Sequence, residues 1–144
     1  MRRMISILAM ASACVVPPAN SQSQAVVDSN GQHPRIKLSQ VISSGHLAEL
    51  IGKYQLRVTE VTYDPGGYIG SHHHVGPGIR CITFGKLTYV VLNKPTIYRS
   101  GDCFYESGDV AHTARNDTKE PVVLLNFEIL PASLSTGSAI PVPN

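Results

Sequence analysis

The sequence of 144 residues has no tryptophan, three phenylalanines and only 15% charged residues. So few Lys and Glu side chains leave little material for solvent-facing helices and argue against a helix bundle. Twelve basic residues stand against ten acidic ones, with no run of like charge. The electrostatic footprint for DNA, RNA or anionic lipid is missing, and nucleic acid is not expected as a partner. The main apolar run, Met4 to Val16, stops at Pro17-Pro18 after thirteen residues, whereas a bilayer-spanning helix needs about 18 or more. What is present is twelve Gly, ten Pro and many Val, Ile, Thr and Tyr, a composition of short strands joined by tight turns. The fold class expected is all-β, and the length suits one domain with one core.

Arg2 and Arg3 precede the apolar run, and polar Asn20 to Gln24 follow it, with Ser23 and Ala25 as small residues before a cut. This is the layout of a secretory signal peptide over residues 1–25, so the protein is expected to be exported, periplasmic or secreted. Ala11-Ser12-Ala13-Cys14 offers a second processing route, lipidation at Cys14, the one way in which a membrane becomes a partner. Removal of residues 1–25 leaves ten basic and ten acidic residues and a single cysteine pair, Cys81 and Cys103. In an oxidising compartment the two can join, or remain as two separately buried thiols; both readings stay open.

Residues 26–34 are polar, rich in turn formers and without periodicity, and are expected to form a flexible leader. The domain is expected over 35–130, with a loose tail over 131–144. A first strand is expected around Ile36, Leu38 and Val41, then one helical turn around Leu47, Leu50 and Ile51. A strand over 54–63 follows and ends at Asp64-Pro65-Gly66-Gly67, a strong turn signal. Further short strands are expected over 68–75, 79–84, 86–92, 96–99, 103–106, 110–116 and 121–130. Many short strands punctuated by glycine indicate a sandwich or barrel.

Four of the six histidines are His72, His73, His74 and His112. In a strand His72 and His74 share a face while His73 points away. With His112 from another strand they make three nitrogen donors that leave positions open, the arrangement catalytic metal sites need. Gly66, His72-His73-His74, Gly78 and Gly85 resemble in spacing the first motif of the cupin superfamily. Gly101, His112 and Asn116 resemble the second. The resemblance spans roughly 54–130 and implies a jelly-roll β-barrel. Cupins host many unrelated activities, so it says less about function.

Two departures stand out. Gly78 occupies the position where cupins usually carry a glutamate ligand, and Ser107 and Asp109 replace the usual proline and glycine of the second motif. The three-histidine pattern resembles the cysteine dioxygenases and the β-diketone-cleaving dioxygenase, in which Gly-Pro-Gly also follows the histidines, as Gly76-Pro77-Gly78 does here. That resemblance implies one divalent transition metal on His72, His74 and His112, Fe(II) first, with Zn, Mn, Ni or Cu as other ions such donors take. Three neutral imidazoles leave the ion its full charge, which favours a small anionic substrate. Glu106 or His73 is a conceivable fourth ligand; neither is placed in the metal set.

Strand parity puts Arg80 on the face of position 78, where it meets an anionic substrate as a catalytic residue or pairs with an internal acid such as Glu60, Glu106 or Glu128. Tyr63 and Tyr105 are candidate pocket walls, and Asp109 is a candidate acceptor for an imidazole. His33 and His46 are expected in solvent. The rival reading is a non-catalytic small-molecule or metal-binding module with a degenerate site. The cupin resemblance also implies a homodimer, toward which the sequence itself offers only unpaired strand edges.

Overall fold

The computed structural model describes residues 26–142; the expected signal peptide and Cys14 lie outside them. The described residues form nine strands and no helix: β1 (Ser29–Val41), β2 (Tyr54–His74), β3 (Gly78–Phe84), β4 (Lys86–Val91), β5 (Lys94–Arg99), β6 (Cys103–Glu106), β7 (His112–Arg115), β8 (Val122–Pro131) and β9 (Ala139–Pro141). Antiparallel ladders run in the order β5-β4-β7-β2-β8-β3-β6, with β1 and β9 both added to β2. The sheet curls into a nearly closed barrel of the jelly-roll kind, as the expected all-β class required.

β2 organises the barrel. Its first part, Tyr54 to Tyr63, pairs with β8, and its last part, Tyr68 to His72, pairs with β7. The change of partner falls on Asp64-Pro65-Gly66-Gly67, where the sequence signalled a stop. The strand bends there instead of ending. Gly66 adopts φ +76°, and a Cβ on Gly67 would lie 2.6 Å from the Gly31 carbonyl oxygen, so only glycine fits the corner. Buried Asn116 clamps it, donating from Nδ2 to the carbonyls of Tyr63, Asp64 and Glu120.

The expected leader is corrected from Ser29 onward. Ser29 pairs with Ile69 and Pro34 with Val61, within a ladder that runs to Val41 and Gln55. β1 is mostly exposed on its side chains, so its main-chain bonds hold it without the apolar alternation that would have revealed it. The loose tail is corrected as well. Gln55 Nε2 donates to the carbonyls of Pro131 and Leu134, Arg57 to those of Thr136 and Leu134, and β9 pairs with His72, His73 and His74. The turn expected near Leu47 is present, with Leu50 N–H bonded to Leu47 O. Cys81 and Cys103, opposite one another on β3 and β6, form a disulfide.

Inward positions divide the barrel lengthwise. Val61, Tyr63, Ile69, Ile82, Leu87, Phe104, Val122 and Leu124 form an apolar core, each large side chain contributing about 1.5–3 kcal/mol by leaving water. Further along the same strands the inward residues become Gln55, Arg57, Thr59, Arg80, Glu106 and Glu128, all buried. The polar end is where the histidines lie.

Candidate metal centre

His72 and His112 are direct cross-strand partners on β2 and β7, and His74 follows His72 on the same face. Their donor atoms all lie within 4.8 Å of one another. The ring nitrogens are sorted by their partners. His72 Nδ1 stands 2.8 Å from the Gly70 carbonyl and His112 Nδ1 3.0 Å from the Val110 carbonyl. A carbonyl only accepts, so both Nδ1 atoms carry the proton. His74 Nδ1 meets Ser138 Oγ at 3.1 Å, and that hydroxyl donates to Glu128 Oε1 at 2.5 Å, leaving its oxygen to accept from His74. All three Nε2 atoms therefore present bare lone pairs to a common point, with each ring orientation fixed by an outer partner, as metal-binding histidines are.

Electrostatics favours the same state. Burial pulls His72 down to about 4 and His74 to about 2, the latter helped by the Arg80 charge, and it lowers His112 too. The imidazoles stay neutral and ready to coordinate. Beside them lies a buried ionic group. Arg80 Nη2 is 2.6 Å from Glu106 Oε2 and 3.2 Å from Glu128 Oε1. Glu106 also reaches the histidines, with Oε2 3.3 Å from His74 Nε2 and Oε1 3.3 Å from His112 Nε2. Burial pushes the Glu106 carboxyl up, and the Arg80 guanidinium pulls it back. Glu106, brought by β6, is thus one of the internal acids expected beside Arg80, and it stands next to the imidazoles.

The histidines open onto a cavity of about 280 Å³. Tyr63, Ile69, Leu87, Phe104 and Leu124 supply apolar walls. Among the described residues, four buried side-chain atoms lack a hydrogen-bond partner: Arg57 Nε, Arg80 Nη1, Glu106 Oε2 and Asn126 Oδ1. All four belong to residues lining this cavity. A cavity lined by this many buried polar and charged side chains suits a polar guest. The donor set therefore fits a metal: three lone pairs of imidazole, one nearby carboxylate and room for a small molecule.

Residues 59–128 match the family model described as the cupin domain. The barrel is a cupin-type jelly roll. None of the curated proteins matches the sequence. Among solved structures, this cupin is similar to an uncharacterized conserved protein with a double-stranded β-helix domain from Klebsiella pneumoniae, at 17% identity and TM-score 0.54, over 88% of this chain and 91% of that one. It is also similar to the polyketide cyclase RemF from Streptomyces resistomycificus, at 11% identity and TM-score 0.58, over 81% and 75%. KdgF from Halomonas sp. aligns at 17% identity and TM-score 0.52, over 70% and 86%. At these identities the likeness establishes the fold alone.

Within the cupin, His72, His74 and His112 come together as expected, and Arg80 lies beside them, paired with two of the three acids named for it. Glu60 is elsewhere, 3.6 Å from Lys37. Tyr63 lines the cavity, but Tyr105 faces outward and is exposed. Asp109 is exposed and bonded by Ser107, while the Val110 carbonyl orients His112 in its place. His33 is exposed, though it pairs with Asp64 at 2.8 Å. Ser138 and Arg57 were missed as parts of the site. Arg57 shares the parity of Val61 and Tyr63 on one strand, a signal available in the sequence. Ser138 sits in a segment without periodicity, and no local pattern announces it.

Proposed function

We propose that this cupin is an exported, metal-dependent enzyme of the non-haem iron oxygenase type acting on a small anionic substrate. The observation that carries the reading is the convergence of three neutral imidazoles, each with Nδ1 tied and Nε2 free, at the polar end of an otherwise apolar cavity. His72, His74 and His112 would hold the ion, and Fe(II) in that place would supply the redox chemistry with dioxygen. The chain's own part is to bind, orient and shield. Arg57 and Arg80 balance Glu106 and Glu128 in charge, so a divalent ion leaves the cavity positive and favours an anion. Arg80 and Arg57 line the cavity and are the cations that would meet that anion. In this reading Arg80 keeps its expected role at the substrate, with Nη2 committed to the acids. The apolar walls exclude water from the reacting groups.

Export is supported by the layout of residues 1–25 together with the Cys81–Cys103 disulfide, which persists in oxidising compartments. A homodimer is supported by the outer face of the sheet. Leu38, Val58, Phe127, Ile79 and Tyr105 follow one another across five strands in register. Four of the five are exposed, Tyr105 at 68%, an apolar row suited to a second copy.

The test is oxygen uptake by the iron-loaded protein with a panel of β-diketones, thiols and phenolic acids, beside a His112→Ala variant. Consumption with one class, lost in the variant, is expected. Stoichiometric iron with no uptake on any of them would replace the enzyme with a binding module.

A further inference from the structure

The position at which the family carries its glutamate cannot hold a side chain here. A Cβ on Gly78 would stand 2.6 Å from the Phe127 carbonyl oxygen, and the Arg80 guanidinium lies against it. The missing carboxylate has nevertheless a neighbour in its place. Gly78 pairs directly with Glu106 on β6, and cross-strand partners project from the same face of a sheet. Glu106 enters the site from one strand further along.

Its oxygens approach the wrong partners for a simple ion pair. Each lies 3.3 Å from an Nε2, one on His74 and one on His112, and those nitrogens carry lone pairs because the protons are on Nδ1. Lone pairs facing lone pairs repel unless a proton or a cation stands between them. Donor atoms bound to one ion at about 2.0–2.2 Å, at right to tetrahedral angles, stand about 3–3.5 Å apart. The observed separations are those of neighbouring ligands on one ion. Arg80 Nη2, 2.6 Å from Glu106 Oε2, holds the carboxylate in that place by charge.

We propose that Glu106 is the fourth protein ligand of the metal, supplied across the strand pair from Gly78 and steadied by Arg80. The inference rests on the three-histidine metal centre proposed above and deepens it. The chain keeps a three-histidine, one-carboxylate donor set although its motif has lost the carboxylate, and the ion loses one unit of its uncompensated charge to the protein.

Co(II) serves as the probe. Affinity is measured by chelator competition and the visible ligand-field spectrum is recorded for the parent, Glu106→Gln, Glu60→Gln and His74→Ala. The melting temperature of each metal-free form reports on folding. Glu106→Gln should lower affinity tenfold or more and shift the Co(II) bands, while Glu60→Gln, which alters an acid paired with Lys37 outside the cavity, should keep the parent spectrum. Parent affinity and parent bands in Glu106→Gln, with binding lost in His74→Ala, would overturn the fourth ligand and leave the triad standing; the carboxyl then shares a proton with an imidazole. Binding unchanged in His74→Ala would overturn the triad itself and the inference with it. Should Glu106→Gln fail to fold, a crystal structure of the Co(II)-loaded parent decides. A Glu106 oxygen at about 2.0–2.2 Å from the ion supports ligation, and one beyond hydrogen-bonding distance overturns it.

Discussion

Two neighbouring rows of the same sheet carry opposite chemistry. Arg57, Glu128, Gly78 and Glu106 follow one another across β2, β8, β3 and β6 on the inner face, and the next residues along each ladder, Val58, Phe127, Ile79 and Tyr105, follow one another on the outer face. An ordinary half-buried sheet puts its apolar row inside and its charged row in water. Here Arg80, at 2% exposure, Glu106 and Glu128 are buried while Ile79, Tyr105 and Phe127 are exposed. The inner row costs desolvation free energy that only mutual pairing and a cationic guest offset, and the outer row leaves apolar surface that only another surface covers. The contrast assigns chemistry to one face and association to the other. It also explains why hydrophobic alternation alone gives the right strands here but says little about which face is the interior.

The comparison can be broken most severely at Arg80. Arg80→Met leaves two buried carboxylates without their cation and is expected to cost about 3–5 kcal/mol, read by chemical denaturation. Replacing both acids as well, Arg80→Met with Glu106→Gln and Glu128→Gln, should recover most of that loss, because three apolar or neutral groups replace a charged cluster. Gly78→Glu tests whether the inner row tolerates the family's own residue. The Phe127 carbonyl blocks its Cβ, so stability should fall by about 1–3 kcal/mol with no gain in metal affinity by chelator competition. Ser138→Ala removes the bond that orients His74. Metal affinity should fall about tenfold, with the metal-free melting temperature nearly unchanged. On the outer face Phe127→Ser combined with Tyr105→Ser should convert a dimer to a monomer in analytical ultracentrifugation. Metal content and unfolding free energy should stay close to the parent, within about 0.5 kcal/mol.

Much of the barrel was legible because its strands are short and alternate. Expectation and structure agree within a residue or two over 79–84, 86–92, 103–106 and 121–130, where turn glycines and period-two burial coincide. The three histidines were legible because strand parity alone puts His72 and His74 on one face. The remainder depends on forces without a local signature. β1 is held by its main-chain ladder, and its exposed side chains have no reason to alternate. The tail is held by Arg57 and Gln55 from 75 or more residues away, a partnership that no window of sequence displays. Asp64-Pro65-Gly66-Gly67 supplies the backbone freedom of a turn, but Asn116 and a change of ladder partner use it for a bend. Glu106 was legible only as an internal acid and a conceivable ligand, because its place opposite Gly78 depends on the register of two strands, which sequence leaves open.

The central claim is that His72, His74 and His112 form a metal centre, and elemental analysis of the protein purified without a histidine tag tests it most directly, with His74→Ala beside it. The expected result is near one equivalent of a divalent transition metal in the parent and little in the variant. No stoichiometric metal in either protein, after reconstitution under reducing conditions, would contradict the account and leave a cupin barrel whose buried histidines serve its structure alone.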